Sequence, residues 1–166
     1  MCYNQCVPKR YTLKMAGNNM RITQEADYAI RICIVLDLIG EKTGANEIAD
    51  RACITPQFAL KILRKLTVEG IVKSYKGAYG GYELEKDSKS LTVLEIIEAI
   101  DGKIYINKCL SCDADCSRNQ NKSDCKMHIA FGAINKMLID NLSRINIGLL
   151  TNDEVYAADI VKIINK

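Results

Sequence analysis

The chain has 166 residues and a net charge of +3, with 48% hydrophobic and 26% charged residues. This balance excludes an intrinsically disordered chain, and the length is enough for one domain with its own core. The net charge is too small to predict an anionic partner, so the distribution of charge along the chain has to decide.

The chain contains eight cysteines and a single histidine. It has no apolar run long enough to cross a membrane, and its first residues lack the apolar core of a signal peptide, so we expect a cytoplasmic protein. In that compartment, eight cysteines favour metal or redox chemistry over disulfides.

The first helix is predicted over residues 22–39, after an N-terminal tail of residues 1–19 that we expect to be disordered. Thr23 is a suitable N-cap, and the helix carries two apolar stripes, so it needs cover on two sides. Cys33 is interpreted as a small core residue. The stripes are Ala26, Ala29, Cys33 and Leu36, and Ile30, Ile34 and Leu38.

Two short helices joined by a tight turn are predicted next, a helix-turn-helix pattern within residues 45–72 whose second helix is ended by Gly70. Thr55 is suited to cap the second of them, with Pro56 at its first position. One face of this second helix is apolar and predicts core contact; the other carries polar and cationic side chains that suit base edges and phosphates. The alternative is a merely solvated cationic face. The apolar set is Ala59, Ile62, Leu63 and Leu66; the outer set is Gln57, Lys61, Arg64 and Lys65.

A β-hairpin wing follows, with strands predicted over residues 71–75 and 81–85 and a glycine-rich turn between them. Residues 51–89 contain eight Lys or Arg and four Asp or Glu, a net +4 against +3 for the whole chain. This concentration favours DNA over a solvated face or a protein partner. The predicted DNA-contacting residues are Thr55, Gln57, Lys61, Arg64, Lys65, Lys76, Gly77, Tyr79 and Gly80.

After the wing, Thr92 and Glu95 form a capping-box pattern that begins a helix over residues 93–100. A longer helical pattern runs from residue 126 to about residue 147, and its apolar stripe predicts a dimer interface. The alternative is that this stripe packs against its own chain. The stripe residues assigned to the interface are Ile134, Leu138, Leu142 and Ile145.

Between these helices, residues 108–128 hold four cysteines and the histidine in a polar stretch. Clustered thiolates with one imidazole suit an iron–sulfur cluster, and tetrahedral zinc is the main competitor. A third hypothesis is that this stretch binds no metal and that Cys112 and Cys116 form an oxidisable thiol pair. Spacing alone does not separate cluster from zinc.

Taken in order, several stretches resemble the Rrf2 family of bacterial regulators over roughly residues 20–147. They are MRITQEADYAIRICIVLDL, the helix-turn-helix, KGAYGGYEL, LTVLEIIEAIDG and the cysteines after them. The resemblance implies a homodimeric winged-helix repressor that binds a pseudo-palindromic operator. It also implies a [2Fe–2S] cluster, in some members [4Fe–4S], held by three cysteines and a fourth, non-cysteine ligand.

The resemblance assigns the cluster cysteines one by one. Cys109 lies eight residues after Asp101, as the first cluster cysteine does in the family's iron–sulfur regulators, and Cys125 matches the last one. The family has one cysteine between them, whereas this chain has two. Cys116 is the better match in spacing, and Cys112 is the alternative.

For the fourth ligand, the resemblance favours His128, three residues after Cys125. Asp27 is the alternative, because some relatives offer a carboxylate at this position from the partner subunit.

The expected protein is mainly α with a small hairpin wing, and it is not an enzyme, because the chain lacks a phosphate-binding glycine loop and a second histidine. An iron–sulfur assembly or carrier protein is a weaker alternative, since it has no need of a basic reading helix. The predicted organisation is a tail at 1–19, a winged helix-turn-helix at 20–102, a cysteine-rich loop at 103–128, a dimerisation helix at 126–150 and a C-terminal segment at 151–166.

Overall fold

The computed structural model describes residues 22–77, 79–111 and 121–165. Within these ranges the fold is mainly helical with one two-stranded antiparallel hairpin, which confirms the predicted fold class. None of the helices described is long and apolar enough to cross a membrane. The elements are α1 Gln24–Ile39, α2 Ala45–Arg51, α3 Pro56–Val68, β1 Val72–Tyr75, β2 Gly81–Leu84, α4 Val93–Asp101, α5 Lys126–Arg144, α6 Ile147–Thr151 and α7 Ala157–Ile164.

Helix α1 is the centre of the core. Thr23 caps it by accepting a hydrogen bond from the Ala26 amide at 3.2 Å, and α3, α4 and α6 pack around the helix. Cys33 is fully buried, and burial raises the pKa of its thiol, so this cysteine is a protonated core residue. Leu38, which the second stripe was expected to bury, is 61% exposed instead. Buried α1 residues are Ala26, Ala29, Ile32, Cys33, Val35 and Leu36.

Helices α2 and α3 form the predicted helix-turn-helix. The Thr55 hydroxyl accepts a hydrogen bond from the Phe58 amide at 3.4 Å, and Pro56 occupies the first position of α3. Cys53, in the turn between the helices, has a φ of 55°, a left-handed conformation that reverses the chain within a few residues. The four apolar α3 residues predicted to face the core, Ala59, Ile62, Leu63 and Leu66, are all fully buried.

The wing is joined to the connection between α1 and α2. Thr43 exchanges two backbone hydrogen bonds with Tyr82, of 3.0 Å and 2.9 Å, so a third segment pairs with strand β2. At the tip, Gly77 has a φ of +100°, and a Cβ on Gly80 would meet the Tyr75 carbonyl oxygen and lie 2.9 Å from that of Gly77. The turn itself therefore requires both glycines.

The helix predicted over residues 126–150 is two helices in the structure. Helix α5 ends at Arg144, and Ile145 is extended because its carbonyl accepts a hydrogen bond from the Val93 amide at 2.8 Å. The Ile147 amide then donates to the Leu91 carbonyl at 2.9 Å, and the Ile147 side chain is fully buried. Pairing with the segment before α4 breaks the helix and brings α6 against α1.

Candidate nucleic-acid interface and cysteine segment

The outer face of α3 carries four of the predicted DNA-contacting residues. Gln57 and Arg64 are exposed, the side chain of Lys61 is 54% exposed, and that of Lys65 is 39% exposed. Because the opposite face of α3 is fully buried, these side chains are held on one exposed surface. The helix can therefore present amide, ammonium and guanidinium donors together to a groove of DNA.

Two of these cations already have an anionic partner. The Glu25 carboxylate on α1 binds both Lys61 and Lys65, the latter at 2.7 Å. Hydrogen bonds from Lys61 and Lys65 hold the pKa of Glu25 below its usual value. This contact was missed in the sequence because 36 and 40 residues separate the partners, and local spacing carries no signal at that distance.

The wing extends the cationic surface. Lys76 is exposed beside the tip and Tyr79 is 90% exposed. The ammonium groups of Lys42 and Lys73 lie 5.2 Å and 5.5 Å from the centre of the Tyr75 ring. Both distances suit cation–π attraction, which holds Lys42 beside the hairpin. Lys73 is itself in β1 and also pairs with Glu85 at 3.8 Å. Neither lysine was among the predicted contacts. The pairing of Thr43 with β2 is what brings Lys42 to the wing, whereas Lys73 already lay within the predicted first strand.

The predicted cysteine-rich loop, residues 103–128, is called the cysteine segment below. The structure describes three of its five predicted ligands. Cys109 lies in a short 3-10 turn over Lys108–Leu110, Cys125 is the N-cap of α5, and His128 follows in the first turn of that helix. Both thiols are partly exposed and are not in disulfides. Cys112 and Cys116 lie outside the described residues.

His128 has an unsatisfied polar atom. Its Nδ1 is buried and finds no hydrogen-bond partner within the described part of the chain. Buried polar atoms normally have partners, so an orphaned imidazole nitrogen three residues after Cys125 suits a ligand position. Among the residues described, no group of three or more His, Cys, Asp or Glu side chains is assembled as a metal site. The thiols and the imidazole fit a cluster or a zinc ion in chemical type.

Asn135 ties the start of the cysteine segment to α5, and it was not predicted. This buried side chain accepts a hydrogen bond from the Ile106 amide at 2.9 Å and donates one to the Ile104 carbonyl at 3.2 Å. Leu110 packs close to Gly132, where a Cβ would lie 3.8 Å from it. The position of Cys109 therefore depends on α5.

The other candidate ligand, Asp27, lies in the first turn of α1 and forms an ion pair with Arg31 at 2.7 Å. The same turn is linked to the base of the cysteine segment, because the Thr23 hydroxyl lies 2.7 Å and 2.8 Å from the two carboxylate oxygens of Asp101. Helix α1 thus contacts α3 through Glu25 and the end of α4 through Thr23.

The predicted interface residues, three on α5 and Ile145 just after it, lie in two different environments. Leu142 and Ile145 pack against a core cluster of their own chain, and Leu138 lines a cavity of about 340 Å³ between α5 and the segment after α4. Ile134 is 51% exposed, and Met137 on the same side of the helix is 64% exposed. The stripe is therefore divided between intramolecular packing and an apolar outer surface.

Comparisons with known proteins agree with this architecture. The sequence model of the Rrf2 family, described as "Iron-dependent Transcriptional regulator", matches residues 22–153. The transcriptional regulator IscR of Klebsiella pneumoniae is 30% identical over 138 residues, which cover 81% of this chain and 82% of IscR. An HTH-type transcriptional regulator of Mycobacterium tuberculosis is 31% identical over 87 residues; they cover 51% of this chain and 54% of that relative, about half its length.

The fold also matches a solved structure, that of CymR, the global cysteine regulator of B. subtilis. The TM-score is 0.64 with 21% identity, and the match covers 80% of this chain and 97% of CymR. The relatives are transcriptional regulators and not enzymes, as predicted. With a family match over residues 22–153 and the winged-helix architecture, the chain belongs to the Rrf2 family of transcriptional regulators.

Proposed function

We propose that this regulator is a repressor whose affinity for its operator is controlled by an iron–sulfur cluster in the cysteine segment. The observation that carries the DNA-binding part is the set of exposed cationic side chains on α3 and the wing, with the opposite face of α3 buried. A groove-reading helix flanked by a cationic hairpin suits duplex DNA. The similarity to IscR supports the same assignment.

The proposed cluster ligands are Cys109, Cys116, Cys125 and His128, with Cys112 and Asp27 as alternatives. Support comes from the two free thiols and from the orphaned Nδ1 of His128, one helical turn after Cys125. A cluster with this ligand set supplies a redox centre that oxidants can also destroy, and an imidazole ligand raises its potential. The chain itself positions the ligand atoms. The hydrogen bonds of Asn135 hold the segment that contains Cys109, and α5 holds Cys125 at its N-terminus.

The experiment for this proposal is the absorption spectrum of anaerobically purified protein with iron, sulfide and zinc analysis. We expect visible charge-transfer bands with iron and sulfide in the wild type, and their loss in a Cys109→Ala, Cys125→Ala variant. Operator affinity should then change by about 5- to 150-fold, the usual range of allosteric coupling. Cys53→Ser, which alters an exposed cysteine outside the segment, is the control.

A colourless wild type with one zinc per chain would contradict the cluster and favour the second candidate, a winged-helix regulator with a structural zinc. That alternative is supported by the same donors, since thiolates with one imidazole also form a tetrahedral zinc site. A metal-free wild type would favour a thiol switch.

We also propose that the protein is a homodimer whose partner covers the outer face of α5. Met127, Ile134 and Met137 recur at spacings of seven and three residues, which places them on one side of the helix, and they are 47%, 51% and 64% exposed. An exposed apolar stripe of this kind is typical of a subunit interface. Two-fold pairing would present two α3 helices to a pseudo-palindromic operator.

Ile134→Glu is expected to shift the protein from dimer to monomer in sedimentation velocity, because each dimer would bury two carboxylates at the centre of the interface. The dissociation constant should rise by at least about 100-fold, given the cost of truncating or charging a central interface residue. Lys136→Glu, at an exposed position of the same helix, should leave the dimer intact. Equal dissociation of both variants would place the interface elsewhere.

A further inference from the structure

Glu25 is shared between two lysines of the helix that is proposed to read DNA. Its Oε2 lies 2.7 Å from the Lys65 ammonium, and its Oε1 binds the Lys61 ammonium. The two lysines stand one helical turn apart on α3, so a single carboxylate bridges both. In the free protein, these two cations are therefore already paired with an anion of their own chain.

The position of Glu25 is set by the first turn of α1. The Thr23 hydroxyl caps that turn at the Ala26 amide and contacts the Asp101 carboxylate at the end of α4. Ala26, next to Glu25, is fully buried in the core. The carboxylate is thereby held beside α3, and its side chain is only 27% exposed.

The lysines, in contrast, remain accessible to DNA. Their side chains are 54% and 39% exposed, and ion pairs at such positions are weak and screened by salt. A DNA phosphate can therefore replace the carboxylate as their partner. After such an exchange, the Glu25 carboxylate has lost its two lysine partners and faces the negatively charged DNA. The resulting repulsion opposes binding.

We propose that Glu25 is a positioning residue that limits the affinity of α3 for DNA of any sequence by competing with phosphates for Lys61 and Lys65. The inference rests on the proposed function, because it requires α3 to face DNA. Glu25 subtracts one charge from the two that the lysines offer, so the electrostatic contribution of this part of α3 is about half of what its sequence suggests.

The test is Glu25→Gln in the full-length chain, with binding to a duplex of random sequence measured over a series of salt concentrations. Removing one opposing charge should make the slope of log K against log salt steeper by about 0.9 and tighten binding about tenfold at ~50 mM salt. In a Lys61→Gln, Lys65→Gln background the same change should leave the salt slope unsteepened and tighten binding less, because no lysine is then freed and only the repulsion between the carboxylate and the phosphates is relieved.

Glu154→Gln is the matched control, since it makes the same charge change at an exposed position in the connection between α6 and α7. Identical affinity and salt slope in the Glu25 and Glu154 variants would overturn the inference, as would weaker binding by Glu25→Gln. If none of the proteins bound random duplex at low salt, the proposed function would fail and the inference with it. If the wild type bound random duplex and Glu25→Gln bound it equally well, the inference about Glu25 would be wrong and the proposed function would stand.

Discussion

Replacing Arg64 and Lys76 together with glutamine is expected to lower the affinity for duplex DNA on the order of 100-fold at ~50 mM salt. The two residues lie on the two parts of the cationic surface, Arg64 on α3 and Lys76 at the base of the wing tip, and both are exposed. If each neutralises one phosphate, the slope of log K against log salt should become shallower by about 1.8 in total. Fluorescence anisotropy with a labelled duplex at several salt concentrations measures both quantities.

The matched control is Lys103→Gln with Lys136→Gln. Both lysines are exposed and lie outside α3 and the wing, so this pair lowers the net charge by the same amount. Its salt slope should stay close to that of the wild type. A double variant of Arg64 and Lys76 that behaves like this control would show that the cationic surface does not contact DNA.

Replacing Asn135 with alanine is expected to lower the free energy of unfolding by about 2 kcal/mol. The substitution leaves the Ile106 amide and the Ile104 carbonyl without the side chain that joins them to α5. The urea midpoint should fall with an unchanged m-value, and amide hydrogen exchange should accelerate in residues 104–110. Because Cys109 lies in this segment, the protein should also retain less iron if the proposed cluster is present.

Asn141→Ala provides the comparison, at a partly exposed position of the same helix. It changes the same residue type in α5 without touching the segment after α4. If both substitutions cost the same stability, the two hydrogen bonds of Asn135 would not stabilise that segment.

Much of the winged helix-turn-helix could be predicted from the sequence. The caps at Thr23 and Thr55 form as expected, because a side-chain hydroxyl three residues before an unpaired amide is a local signal. At Thr92 only the first half of the predicted box is as expected: the hydroxyl accepts from the Glu95 amide, and the Glu95 carboxylate binds Lys86. Lys86, nine residues before Glu95, competes for that carboxylate, and it lies outside the four-residue spacing of the capping box.

The apolar stripe of α5 could be predicted from the sequence, but the surface that covers it could not. Periodicity identified Leu138 and Leu142 as apolar positions on one side of a helix, but it does not say which surface covers them. The structure packs Leu142 against its own core and places Leu138 at a cavity, while Ile134 remains exposed. The predicted interface residues thus remain a proposal centred on Ile134 and the exposed methionines.

The sequence by itself determined the family, the order of the elements and the face of α3 that is buried. The family was identified from the resemblance of several stretches taken in order, whereas the elements and the buried face of α3 depend on local signals, namely caps, turns and apolar periods, whose range is a few residues. Only the tertiary structure decided that Glu25 pairs with Lys61 and Lys65, that Asn135 holds the segment of Cys109, and that α5 ends at Arg144. Each of these involves groups from 29 to 56 residues apart in the chain, and their contact depends on how the helices pack rather than on any neighbouring residue.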